Sequence, residues 1–277
     1  MLSYRHAYHA GNTADVLKHL CLNYLIESLQ QKSQGFRYID THAGAGVYDL
    51  SSSMPAQTEE WRLGVGRHIE SSSAQNSASP YLVQAQTGSQ TVMYPGSPLI
   101  AARRLRPQDS AHVYELHSTD FQTLRTTLKP FKQAKCFNED GLVGLIGNLP
   151  TPTRRALVLI DPSYEIKTDY TEIPKVIGKA LKRMDNVVIA LWIPVVDRTQ
   201  TQRMIQTTLK GITQRTIILE LGERADTQGY GMTSSIMLII NAPWDMRDRL
   251  EPVIAELAMQ HSLDGAAHFQ AKTLIER

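Results

Sequence analysis

At 277 residues the chain can bury one large hydrophobic core, and a composition 42% apolar and 20% charged excludes a disordered or fibrous chain. A formal net charge of +2 excludes a strongly basic nucleic-acid coat but leaves room for a nucleic acid met through a local patch. Arg103, Arg104 and Arg106, or Arg154 and Arg155, are candidates for such a patch, although a solvated face is the commoner fate of such runs.

In chain order, residues 13–30 carry apolar side chains at Val16, Leu17, Leu20, Leu25 and Leu29, a helical spacing opened by Asn12 as N-cap. Short apolar runs at 36–39, 111–114, 134–137, 156–160, 187–192, 216–221 and 235–240 read as strands. Helical patterns at 98–105, 119–128, 141–146, 174–184 and 199–209 lie between most of them, and 246–260 follows the last. This alternation predicts an α/β fold with a doubly wound, Rossmann-like, seven-stranded mixed sheet. The last two strands are joined by a glycine-containing stretch without helical pattern, so they are expected to pair antiparallel.

The spacing breaks once, after the first strand. Residues 49–93 read as an inserted helical subdomain, with residues 1–48 and 94–277 forming the main domain. The two cysteines, Cys21 and Cys136, offer no disulfide framework, and a reducing compartment is the simple expectation. The first residues lack the apolar core of a signal peptide, and the longest apolar run, 187–196, is half a membrane span and contains Pro194. A cytoplasmic protein with no membrane contact is expected.

Ligands of a doubly wound sheet bind at the carboxyl ends of its strands, so the residues just after each strand carry the functional reading. After the first strand, Asp40-Thr41-His42-Ala43-Gly44-Ala45-Gly46 permits a tight turn and close backbone approach. The third glycine of a dinucleotide fingerprint is missing, which favours a nucleoside without phosphates. Glu115 ends the second strand, where a carboxylate can accept from both ribose hydroxyls or simply be solvated. Asp140-Gly141 follows the third; it suits an adenine amino group and a close backbone N–H, and it is also a common turn.

The fourth strand runs into Asp161-Pro162-Ser163-Tyr164, which sets a carboxylate, a carbonyl and a flat ring on one loop. The lone pair of adenine N6 is delocalised into its ring. Accepting both amino hydrogens, at Asp161 and at the Pro162 carbonyl, localises that pair for attack on a methyl donor, while Tyr164 stacks on the base. The sulfonium of S-adenosylmethionine is already activated, so no metal is expected. His6 and His9 have a ligand-like spacing but no accompanying Cys or His-Glu motif.

The order of glycine-rich loop, strand-end acid, Asp-Gly and Asp-Pro-x-Tyr resembles the amino-methyltransferases. Further runs are similar to the RlmJ family of bacterial 23S ribosomal RNA adenine-N6 methyltransferases: Leu2-Ser3-Tyr4-Arg5-His6, His9-Ala10-Gly11-Asn12, Ala14-Asp15-Val16-Leu17-Lys18-His19 and Tyr94-Pro95-Gly96-Ser97-Pro98. The resemblance implies an S-adenosylmethionine site made by His19, His42, Ser97, Glu115, Asp140, Gly141 and Asp161, with Asp161 and Tyr164 catalytic and Tyr4 and Lys18 facing the substrate. It also implies adenine 2030 of protein-poor 23S RNA as the target and a monomeric enzyme. Ser163 departs from the family's Asp-Pro-Pro-Tyr, which bears on the stiffness of the loop rather than on its contacts.

Three other readings share parts of this pattern. A DNA adenine or a protein glutamine could be the methyl acceptor. An NAD-dependent oxidoreductase shares the fold and Glu115 but gives Asp161-Pro162-Ser163-Tyr164 no task. A non-catalytic RNA-binding relic predicts loss of the acid that Asp161 retains.

Overall fold

The computed structural model describes residues 6–71, 80–83, 85–226, 231–263 and 265–276; Tyr4 and Arg5 lie outside the described residues. A short 3-10 turn, His6–Tyr8, leads into α1 (Thr13–Gln30), capped by the Asn12 side chain accepting from Asp15 N. Then follow β1 (Arg37–Asp40), β2 (Val47–Asp49), α2 (Pro55–Thr58), α3 (Glu60–Leu63), α4 (Gly66–Ser71), β3 (Gln86–Thr87), β4 (Val92–Pro95), α5 (Ser97–Arg104), β5 (Ser110–Tyr114), α6 (Ser118–Leu128) and β6 (Ala134–Phe137). The second half comprises α7 (Gly141–Asn148), β7 (Ala156–Ile160), α8 (Asp169–Arg183), β8 (Val188–Val195), α9 (Arg198–Leu209), β9 (Thr216–Gly222), β10 (Ser234–Ile240), α10 (Met246–His261) and β11 (His268–Ile275).

Eight strands form the main sheet in the order β11-β9-β10-β8-β7-β1-β5-β6, one more than the sequence pattern predicts. The additional strand, β11, pairs antiparallel with β9 at the sheet edge. Its sequence, HFQAKTLI, puts polar residues among the apolar ones because an edge strand is only partly covered, and Phe269 itself is exposed. Strand β10 lies antiparallel between β8 and β9, as the glycine-containing connection predicts, and its ladder carries β8 past Trp192 to Val195.

Strands β7, β1, β5 and β6 are parallel neighbours, and β1 at the centre separates the two directions of winding. Both faces of the central strands are buried. On β7, Leu157 and Leu159 enter the core beneath α1, α5 and α10, whereas Ala156, Val158 and Ile160 enter the one beneath α8 and α9. Such two-sided burial explains why β7 and β8 read as unbroken apolar runs.

Between β1 and β5 the chain leaves and returns through an antiparallel neck, Val47↔Pro95 to Asp49↔Met93, part of a second, three-stranded sheet. Helix α8 begins five residues before the expected position, so Pro174 lies inside it and not at its start. The earlier start brings Tyr170 against Tyr164, at 4.8 Å between ring centroids.

Neither arginine run forms a substrate patch at the carboxyl end of the sheet. Arg106 binds Asp109 and the carbonyls of Gln30, Lys32 and Gln34, and Arg155 donates to Leu29 O and Gln34 O. These side chains instead bind the segment between α1 and β1, at the amino end of the strands, where carbonyls after the helix need donors.

Candidate active site

A cleft of about 820 Å³ opens at the carboxyl ends of β1, β5 and β7. His19, His42, Ser97, Glu115, Asp140, Gly141, Asp161, Tyr164 and Lys18 all line it, so every expected site residue within the described chain meets there.

The floor is the turn after β1. Gly44 and Gly46 adopt φ of +61° and +80°, and a Cβ at Gly44 would run into the Tyr48 hydroxyl. Glu115 is tied to this turn: Oε2 accepts from Gly44 N at 2.8 Å, and Oε1 accepts from His117 N at 2.7 Å. Burial pushes its carboxyl pKa up, while those two N–H groups oppose the shift. Each oxygen retains acceptor capacity for a ligand hydroxyl.

Asp40 beneath the turn is fully buried and accepts from Tyr38 OH and from Ser97 Oγ, each at 2.7 Å. Burial pushes its pKa up to about 6, against those hydrogen bonds. Ser97 therefore reaches the cleft wall with its hydroxyl already donated. The His42 imidazole bonds Thr41 Oγ1 at 2.8 Å, and burial pulls its pKa down to about 4, so it is neutral at pH 7.

Helix α1 delivers Asp15, Lys18 and His19 from one face, the i, i+3, i+4 spacing. Lys18 Nζ lies 2.6 Å from Asp15 Oδ1 and 2.5 Å from Asp161 Oδ2. Burial alone disfavours an ammonium, but two carboxylates at contact distance win and raise its pKa. Asp15 also accepts from Gly11 N at 2.8 Å and lies 3.0 Å from His6 Nε2; despite burial, Lys18 and His6 hold its pKa well below the usual range. His19 bonds Tyr94 OH through Nδ1 at 2.7 Å, and burial lowers its pKa to about 3. Its Nε2 is buried without a hydrogen-bond partner among the described residues. An orphaned polar atom on a cleft wall is a place for a ligand group.

Asp140 caps α7, with Oδ1 accepting from Leu142 N at 2.8 Å and Val143 N at 3.2 Å. A Cβ on Gly141 would collide with the Thr41 carbonyl, so the two strand-end turns touch backbone to backbone. Gly141→Ala is therefore expected to force them apart. Overpacking of this kind costs about 1–3 kcal/mol, roughly 2–10 °C of melting temperature in a chain of this size. Calorimetry giving the parental melting temperature would show that the contact yields freely.

The last wall is the loop after β7. Tyr164 takes φ +55°, an uncommon conformation for a bulky residue, and its hydroxyl donates to Trp192 O at 2.6 Å. Its ring packs against Tyr170 and Trp192. Ser163 Oγ accepts from Glu165 N at 3.5 Å, a side-chain turn where the family motif has a second proline. His6 and His9, despite their ligand-like spacing, turn to different carboxylates, Asp15 and Glu60.

The sequence reading gives no individual site role to Asp15, Asp40, Tyr94 or Trp192, although the first three stand in runs it singles out. The Asp15-Lys18-His19 spacing on one helix face was a usable signal for the first. Tyr94 and Trp192 reach their partners from distant elements, so no local spacing marks the contacts they make.

A family model described as ribosomal RNA large subunit methyltransferase D, RlmJ, matches residues 33–270. The chain belongs to the RlmJ family. The protein named ribosomal RNA large subunit methyltransferase J of Escherichia coli (strain K12) is 40% identical over 271 residues, 97% of each chain. Its namesake in Haemophilus influenzae is 39% identical over 261 residues, 93% of each. A crystal structure of a Legionella pneumophila protein superposes with a TM-score of 0.86 at 30% identity, covering 96% of this chain and 98% of that one. The RlmJ model begins beyond α1, yet an alignment over 97% of the chain leaves no room to omit that helix, which carries Asp15, Lys18 and His19.

Proposed function

We propose that the chain transfers the methyl group of S-adenosylmethionine to N6 of adenine 2030 in 23S ribosomal RNA. The observation that carries this reading is Asp161, held by the buried Lys18 ammonium at the rim of a strand-end cleft whose other walls offer nucleoside-binding groups. The residues fit the cofactor: His19 Nε2 lacks a partner, Glu115 retains acceptor capacity on both oxygens, and the Gly44–Gly46 turn allows close approach. His19, His42, Ser97, Glu115, Asp140 and Gly141 would hold it.

When bound, the sulfonium supplies an activated methyl group, and the chain's own task is to present the amine. Asp161 and the Pro162 carbonyl accept the two N6 hydrogens, directing the nitrogen lone pair out of the adenine ring. Lys18 holds the Asp161 carboxylate in one orientation. After transfer N6 must shed one proton, and Asp161 is the acceptor at hand. Tyr164, fixed by Trp192, offers a ring for the extruded base. Extrusion is required because the major groove of A-form RNA is too deep and narrow to admit an active site.

On this reading the enzyme works in the cytoplasm as a monomer on protein-poor RNA, with residues 49–93 as an inserted subdomain and Tyr4 at the substrate. No helix among the described residues is long and apolar enough to cross a membrane.

Labelled S-adenosylmethionine incubated in parallel with naked 23S RNA, assembled subunits, DNA and protein tests the proposal. The expected result is one labelled N6-methyladenine at position 2030, strongest on naked RNA. Label in DNA or protein instead overturns the acceptor, and tight binding of NAD without binding of S-adenosylmethionine overturns the reaction.

A further inference from the structure

Outside the cleft, a groove of about 500 Å³ lies between α6 and β6, and Arg125, Lys129 and Lys132 line it together with Phe131 and Cys136. Among the described residues no carboxylate lines it. Several cations elsewhere meet acids: Arg62 with Glu59, Arg104 with Glu27, Arg106 with Asp109, Arg198 with Glu220 and Asp226, and Arg249 with Asp245. Among the described residues no ion pair involves Arg125, Lys129 or Lys132, and all three are exposed.

The groove is also placed to meet what enters the cleft. Helix α6 begins beside it, with Asp120 in the cleft wall, and runs down to Lys129 over nine residues, about 13 Å at helical rise. Strand β6 is the last of the sheet, so nothing in the sheet covers this side. Exposed cations spread along a groove, with no buried cage, suit a chain of phosphates better than one small anion.

We infer that the α6–β6 groove anchors the phosphate backbone of the substrate RNA outside the methylated nucleotide. The inference rests on RNA being the substrate. The groove then supplies affinity and register, while the cleft supplies chemistry.

The test combines Arg125→Gln, Lys129→Gln and Lys132→Gln in one variant and compares it with the parent on a long 23S fragment and on a short oligonucleotide carrying the target adenine. For the long fragment, KM is expected to rise about tenfold or more, and the slope of log affinity against log salt to fall by about 2–3, since each lost phosphate contact removes roughly 0.7–0.9. The turnover number at saturating RNA, S-adenosylmethionine affinity and kinetics on the short oligonucleotide are expected to stay parental. Each single variant, less exposed to folding defects, should lower the slope by about one. Parental KM and slope in the triple variant would overturn the inference while the RNA reading stands. A parent that methylates no RNA overturns the reading and the inference with it, and the parental assay alone distinguishes that case.

Discussion

Asp161→Asn is expected to lower the rate of methyl transfer by about a hundredfold or more while leaving a folded protein that binds S-adenosylmethionine. Removing one preorganised partner of the reacting group typically has an effect of this size. An amide keeps the shape of the carboxylate but offers a weaker acceptor oxygen, and its NH2 is a donor facing either Lys18 or the substrate amine. The fold should survive because the Lys18 ammonium retains Asp15 at 2.6 Å. Rapid-quench kinetics on a 23S fragment, with calorimetry of the same sample, check both halves. Near-parental turnover would remove Asp161 from the chemistry and leave Lys18 as its structural partner only.

Much of this architecture is legible in the chain because its central strands are buried on both faces and bounded by turn residues. Asn12 before a helical spacing located α1, and Asp161 directly after an apolar run located the β7 loop. Strand β11 was not legible: an edge strand with one neighbour does not need an apolar run, and its composition resembles a solvated tail. The start of α8 is hidden from the sequence pattern because proline is best tolerated in a helix's first turn, whereas Pro174 lies inside this helix.

At the site, strand-end positions were legible and the partners that orient them were not. The position of Glu115 follows from its strand, whereas its hydrogen bonds to Gly44 and His117 depend on how the turn closes. Lys18 was expected at the substrate on resemblance alone; its burial between Asp15 and Asp161 is a tertiary fact. The arginine runs show the converse. Their charge was visible, but the carbonyls that absorb it are brought near only by the fold.

The burial of Lys18 leads to the second large effect. In Lys18→Met, Asp15, which is 1% exposed, is left with Gly11 N and His6 as partners, and breaking a buried pair from one side costs about 3–5 kcal/mol. A melting temperature lower by roughly 6–20 °C is expected, together with a loss of turnover because Asp161 loses the group that orients it. The pH dependence identifies the cause. In the parent, the folded-state pKa of Asp15 is depressed, so its contribution is present above the unfolded value near 3.8 and lost as pH falls through the folded one. In the variant, burial is opposed only by the remaining partners, so that pKa moves up from its depressed position. Protonation at low pH then relieves the unpaired carboxylate, so the deficit against the parent should be smaller near pH 4 than at pH 8. Asp15→Asn combined with Lys18→Met removes both charges and should recover most of the stability, since replacing a whole buried pair is often neutral. Turnover should not recover, because Asp161 still lacks its partner. A low kcat with parental KM for RNA in the double variant assigns Lys18 to positioning Asp161. Parental kcat with a raised KM places the ammonium on the substrate instead, and parental values of both remove it from the reaction.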